Sequence, residues 1–105
     1  MSAVVPTARP GIYRITHRPS GCSLLRVSVN VDAVLNRIRF ELQTGTHRHA
    51  VLQHDWTADG ADAFEFTVLD TLAPGDVTPA TLRDDLAGLL LLWQEHLEPS
   101  LPCRY

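Results

Sequence analysis

The chain has 105 residues, of which 45% are hydrophobic, and its formal net charge at neutral pH is −3. This length supports one small domain with a single core, and the acidic balance argues mildly against a nucleic-acid-binding protein. Because no uncharged apolar run approaches about 18 residues, we expect no membrane span and no membrane partner. The first ten residues lack the pattern of a secretory signal, so we expect a cytoplasmic protein.

Residues 11–30 are predicted to form an antiparallel β-hairpin. The stretch GIYRITH (11–17) alternates apolar and polar residues, as a half-buried strand does. In the turn RPSG that follows, Pro19 fixes φ and Gly21 permits a positive φ. The stretch CSLLRVSVN (22–30) is rich in Val and Leu and predicts the second strand.

Two helices are predicted after the hairpin. Apolar residues at helical spacing begin after Asn30, a suitable N-cap, and end before Gly45, a suitable C-terminal stop. The stretch HRHAVLQHDWTADG (47–60) predicts a shorter helix that ends at Gly60. The residues expected to face inward on this second helix are Val51, Leu52 and Trp56.

The remaining residues predict one strand and the longest helix. AFEFTVLDTL (63–72) alternates again, and a helix over 79–98 begins with Thr78 as N-cap and Pro79 at its first position. The fold class expected is α/β, an α+β sandwich of a small three-stranded antiparallel sheet flanked by helices, in the order β-β-α-α-β-α. We expect a flexible N-terminal lead (1–9), one domain (10–98) and an irregular C-terminal tail (99–105).

The two cysteines lie far apart in the sequence. Cys22 begins a predicted strand and Cys103 belongs to the predicted tail. For a cytoplasmic chain we interpret both as free thiols, and a terminal disulfide is the alternative.

The charge is unevenly distributed along the chain. Residues 1–54 hold seven arginines and two acidic residues, whereas residues 55–105 hold two arginines and ten acidic residues. The basic first half suggests a phosphate-facing surface. An ordinary charged helix surface accounts for the asymmetry equally well.

The sequence resembles the GIY-YIG nuclease superfamily. The match is carried, in order, by GIY, SVN, GTH, LQ, DW and FEF, and it covers about residues 11–70. The resemblance implies the fold described above. It also implies phosphodiester hydrolysis with two tyrosines, a helix arginine and a glutamate that holds one divalent metal ion.

Most of the catalytic positions implied by the resemblance are lost. Tyr13 matches the GIY tyrosine and His47 matches the histidine of the GTH loop. Apolar residues replace the second tyrosine, the arginine and the glutamate, and these residues neither stabilise developing charge nor bind magnesium. We therefore expect an inactive domain without metal or cofactor, in which Tyr13 and His47 are vestigial. The three replacements are Leu24, Val34 and Leu90.

Two other sites are weighed against this interpretation. A divergent active endonuclease would need Arg37 and Asp85 to rebuild the lost arginine and metal ligand. A metal cluster of His47, His49 and His54 is disfavoured because the spacing is poor for one helix face and, apart from Asp55, no cysteine or carboxylate nearby completes the set.

Two binding functions remain, and a protein-interaction module that self-associates is slightly preferred. The last helix carries more leucines than one core-facing stripe needs, and Leu91 and Leu92 fall beside that stripe. A homodimer is expected to cover them, with another protein or the C-terminal tail as alternatives. The competing function is nucleic-acid binding without cleavage, for which the candidate residues are Arg14, Arg18, Arg26, Arg37, Arg39 and Arg48.

Overall fold

The structure is a computed structural model that describes residues 9–72 and 80–105. The predicted lead, apart from Arg9, and the predicted helix start at Thr78 and Pro79 lie outside the described residues. Short 3-10 turns over Ala61–Ala63 and Glu98–Ser100 precede the third and fourth strands. The elements are β1 (Gly11–His17), β2 (Cys22–Ser28), α1 (Val31–Thr44), α2 (Ala50–Asp59), β3 (Phe64–Thr71), α3 (Leu82–Leu97) and β4 (Cys103–Arg104).

The sheet has four strands in the spatial order β3-β1-β2-β4. Strand β1 pairs antiparallel with both β2 and β3, whereas β4 pairs parallel with β2. The prediction of a three-stranded antiparallel sheet is therefore wrong. The fourth strand consists of Cys103 and Arg104, and two residues are too short to show the period-two pattern of a strand.

The interpretation of the cysteines as free thiols is also wrong. A disulfide joins Cys22 at the start of β2 to Cys103 in β4, and these two residues are direct neighbours in the sheet. The stretch predicted to be an irregular tail is thus fixed along the outer edge of β2.

The ends of α1 follow from its capping residues. The Asn30 side chain accepts a hydrogen bond from the Ala33 backbone N–H at 3.2 Å, and Gly45 closes the helix in the left-handed conformation with φ 78°. Both caps were predicted. Helix α2 ends before Gly60 as expected, but Val51 is 58% exposed, so its predicted inward orientation is wrong.

Most of the core lies between one face of the sheet and helices α1 and α2. Helix α3 packs on the other face, where Trp93 Nε1 donates to Asp70 Oδ2 at 3.1 Å and Asp70 is the β3 partner of Ile12. None of the helices in the described part of the chain is both long and apolar enough to cross a membrane. The main core cluster comprises Tyr13, Ile15, Leu24, Val31, Leu35, Ile38, Leu42, Leu52, Trp56 and Phe64.

Candidate functional site

A cleft of about 420 Å³ opens beside Tyr13, between β1, α1 and the loop that precedes α2. Residues 37, 38 and 41 project into it from one side of α1, as neighbours on a helical surface do. The two loop residues follow Gly45, which turns the chain back after α1. The lining residues are Tyr13, Arg37, Ile38, Glu41, His47 and Arg48.

Tyr13 keeps its proton at neutral pH. Its side chain is only 6% exposed, and this burial raises its pKa above the ordinary value of 10. The positive charges of Arg26, its neighbour on β2, and of Arg37 lower the pKa but do not outweigh burial. Tyr13 therefore presents a neutral O–H group, which can donate a hydrogen bond.

His47 is held in one orientation by its neighbours. Its Nδ1 accepts a hydrogen bond from the His49 backbone N–H at 3.1 Å, and its own backbone N–H donates to Gln53 Oε1 at 3.1 Å. The proton of the neutral ring must therefore lie on Nε2. Burial lowers the pKa of His47 below 6.5, although Glu41 opposes the shift, so the ring is neutral at pH 7.

The arginines near the cleft form no close ion pair in the described residues, although the Glu41 carboxylate lines the same cleft. Among residues 9–72 and 80–105, neither Arg37 nor Arg48 takes part in an ion pair. Arg26 donates to the Leu25 carbonyl oxygen at 2.9 Å and also lacks an acidic partner within these residues. Three guanidinium groups without a carboxylate partner near a neutral phenol suit an anionic ligand.

The other three candidate arginines are directed elsewhere. Arg14 donates to Ser23 Oγ at 3.1 Å. Arg18 donates to the Asp62 carbonyl and lies 3.5 Å from a Glu65 carboxylate oxygen. The Arg39 guanidinium stacks 4.5 Å from the centre of the Phe66 ring. Of the six arginines singled out in the sequence, the structure therefore places Arg37 and Arg48 at the cleft, with Arg26 next to Tyr13 on the sheet.

Three positions that the resemblance assigns to catalysis hold apolar residues that do not line the cleft. Leu24 is 5% exposed within the main core, and Val34 packs against that core. Leu90 lies on α3, on the other side of the sheet, and does not line the cleft. Within the described ranges, no three His, Cys, Asp or Glu residues are placed to hold a metal ion. The position that the resemblance assigns to the metal-binding glutamate holds Leu90, whose side chain offers no oxygen ligand to magnesium.

Two residues near the site were missed in the sequence. Glu41 lines the cleft one helical turn after Arg37, and only this i,i+4 spacing on α1 links it to the site. Tyr105 packs against the core from the far end of the chain, and its hydroxyl donates to Asp55 Oδ2 at 2.6 Å. No local motif in the sequence indicates the contact between Tyr105 and Asp55.

The β-hairpin, the two following helices and the third strand form an α/β fold, and Tyr13 lies beside a cleft that contains two arginines. No protein-family model and no curated protein sequence matches the chain. A mutant form of the catalytic domain of the intron endonuclease I-TevI is similar in structure, with a TM-score of 0.66 and 20% identity over 86% of this chain and 84% of that one.

A second structure of the same catalytic domain, described as that of a homing endonuclease, gives a TM-score of 0.66 and 19% identity. It covers 87% of this chain and 90% of its own. These similarities establish the fold, which agrees with the resemblance inferred from the sequence.

Proposed function

We propose that the domain binds the phosphate groups of a nucleic-acid backbone in the Tyr13 cleft and does not hydrolyse them by metal-assisted chemistry. The observation that carries the proposal is that Arg37 and Arg48 line one cleft with Tyr13 and form no ion pair in the described residues. The positive charge of Arg26, next to Tyr13 on β2, also acts on the Tyr13 hydroxyl.

The donors at the cleft match a phosphate group. Guanidinium groups bind two phosphate oxygens at once through parallel N–H groups, and the Tyr13 hydroxyl and His47 Nε2 add neutral donors. Such contacts position a backbone without reading its sequence. The apolar side chains of Leu24 and Val34 supply neither proton transfer nor charge stabilisation, so binding without turnover follows.

Replacing an arginine of the cleft tests the binding function. We expect Arg37→Ala or Arg48→Ala to weaken binding of a short fluorescein-labelled DNA duplex about tenfold at low salt, since each removes a charged hydrogen-bond donor. The slope of log affinity against log salt concentration should become shallower by about one unit, because one phosphate contact is lost. Fluorescence anisotropy measures both.

Arg18→Ala is the matched control, because Arg18 is held at the hairpin turn by Asp62 and Glu65. Equal losses for Arg18 and Arg37 variants would indicate a diffuse charge effect and contradict the cleft. A wild-type protein that shifts neither duplex nor single-stranded probes at low salt would exclude nucleic-acid binding.

A cleavage assay tests the absence of hydrolysis. We expect purified protein to leave supercoiled plasmid DNA intact with magnesium or manganese, because no acidic cluster in the described residues holds the metal and Leu24 replaces the second tyrosine. Gel electrophoresis detects nicking. Metal-dependent nicking that is lost in a Tyr13→Phe variant would overturn the prediction.

A second candidate function is protein interaction through α3, with a second copy of this chain as the partner. Leu91 is 55% exposed and Leu92 is 64% exposed. Cys103 and Arg104 pair with β2, and the C-terminal residues leave both leucines largely uncovered. Ala87 and Gly88, one turn earlier on the helix, are also exposed. In a two-fold antiparallel contact, the leucines of one α3 would face these small residues of the other.

A further inference from the structure

Residues 98–105, here called the latch segment, connect α3 to the outer edge of β2. After the 3-10 turn, Cys103 and Arg104 pair with Cys22 and Ser23, and the disulfide fixes this pairing covalently. The Tyr105 backbone N–H then donates to the Ser23 carbonyl oxygen at 3.0 Å. The latch segment therefore carries Tyr105 one residue further along β2, onto the face of the sheet that α1 and α2 cover.

Tyr105 makes two contacts with α2 and the residue before it. Its hydroxyl donates to Asp55 Oδ2 at 2.6 Å, and its ring meets His49 edge-on with the ring centres 5.5 Å apart. Burial and the adjacent carboxylate raise the pKa of Tyr105, so the hydroxyl remains a donor. An edge-on aromatic contact and a charge-assisted hydrogen bond together restrict where His49 and Asp55 lie.

His49 connects this contact to the cleft. Its ring Nδ1 caps α2 by accepting the Leu52 backbone N–H at 3.2 Å, and its backbone N–H donates to Nδ1 of His47 at 3.1 Å. The second hydrogen bond sets the tautomer of His47 and keeps its Nε2–H available to the cleft. A continuous series of contacts thus runs from the disulfide through Tyr105 and His49 to His47.

We propose that the disulfide-bonded latch segment positions His47 in the cleft through Tyr105 and His49, and that reduction of the disulfide lowers the affinity of the cleft for phosphate. Tyr105 is a positioning residue in this arrangement, because it touches neither the cleft nor a ligand. The effect on affinity rests on the proposed function, whereas the effect on His47 does not.

The reaction that releases the latch segment is thiol–disulfide exchange with a dithiol. A thiolate of the dithiol attacks one sulfur of the disulfide, and its second thiol displaces that cysteine from the mixed disulfide. Two electrons pass to the protein, Cys22 and Cys103 become thiols, and the dithiol becomes a disulfide. Cys22 is 7% exposed and Cys103 is half-buried, so attack is expected at Cys103.

NMR of the histidine ring protons, recorded on oxidised protein and on protein reduced by dithiothreitol, tests the positioning directly. We expect the His47 ring signals to shift on reduction, while far-UV circular dichroism shows that the fold is kept. Affinity for the labelled duplex should fall about tenfold, the equivalent of one lost hydrogen bond to a charged group. Alkylation followed by mass spectrometry verifies that both thiols are free.

A Tyr105→Ala variant with the disulfide intact repeats the test if reduction unfolds the protein. It should shift the His47 signals and lower the affinity as reduction does, whereas Tyr105→Phe keeps the ring contact with His49 and should retain most of the wild-type behaviour. Arg104→Ala is the matched control, since Arg104 pairs with Glu98 inside the latch segment.

Unchanged His47 signals, in folded reduced protein or in the Tyr105→Ala variant, would overturn the proposal. Shifted His47 signals with no binding of the duplex by the oxidised protein would support the positioning and refute the proposed function. Shifted signals with undiminished binding would overturn the link between the latch segment and affinity.

Discussion

Gly11 of β1 lies so close to the backbone of β3 that no side chain fits there. A Cβ atom built at this position overlaps the Asp70 carbonyl oxygen and lies 2.9 Å from Thr71 Cα. Both contacts are with the backbone of the paired strand, which cannot rotate away as a side chain can. The glycine of the GIY tripeptide therefore has a structural reason in this chain, separate from any role of Tyr13.

We expect Gly11→Ala to lower the free energy of unfolding by about 1–3 kcal/mol, the cost of forcing extra volume into a packed site. Urea denaturation followed by circular dichroism measures the change. Gly88→Ala is a suitable control, because a Cβ there meets nothing within 4 Å and alanine favours a helix by about 1 kcal/mol. A Gly11→Ala protein as stable as wild type would show that β3 moves aside.

The elements that could be predicted from sequence are those whose signals are local. Asn30 and Gly45 mark the ends of α1. Alternation marks β1 and β3, and the Val and Leu content marks β2. Strand β4 has no such signal, because its pairing depends on Cys22, which lies 81 positions before Cys103. The apolar character of Val51 predicts an inward orientation, but the residues of α2 that are buried are Leu52 and Trp56.

The candidate site was predictable to a similar extent. Tyr13 and His47 were identified through motif letters, and Arg37 and Arg48 through charge. Sequence distance could not show which arginines share a cleft, since Arg39 lies two positions from Arg37 but stacks on Phe66. The contact of Tyr105 with His49 and Asp55 is tertiary and was beyond any local pattern.

Helix α3 is the element on which self-association depends. If two copies pair through it, Leu91→Glu or Leu92→Glu should give a folded monomer, because a charge in the contact must be desolvated and each leucine otherwise contributes about 1.5–3 kcal/mol of burial. Multi-angle light scattering reports the mass. Val51→Glu on α2 is the control, since Val51 is 58% exposed and lies on another element.

Two results would contradict this assembly. A wild-type monomer at high micromolar concentration would exclude the homodimer. A Leu91→Glu protein that unfolds rather than dissociates would place this side chain in the internal core, against its 55% exposure.

At the scale of the whole molecule, the disulfide closes a loop over a sequence separation of 81 residues. Restricting the unfolded chain in this way stabilises the folded state by about 4 kcal/mol in the chain-entropy model. We expect a Cys22→Ser, Cys103→Ser double variant to be less stable than wild type by about that amount in urea denaturation. Equal stabilities of the oxidised protein and the double variant would show that the link adds nothing to the fold.

The same link determines how the domain responds to mechanical force. The chain between Cys22 and Cys103 contains β2, helices α1, α2 and α3, and β3, whereas β1 and the hairpin turn precede the disulfide. Tension applied between residue 9 and residue 105 passes through the sulfur–sulfur bond and bypasses the enclosed 81 positions. About 280 Å of contour length stays hidden from the pulling force until a reductant cuts the bond. In the oxidised state, the tension reaches β1 and the hairpin turn, so the sheet loses β1, one of its inner strands, before any helix is stretched.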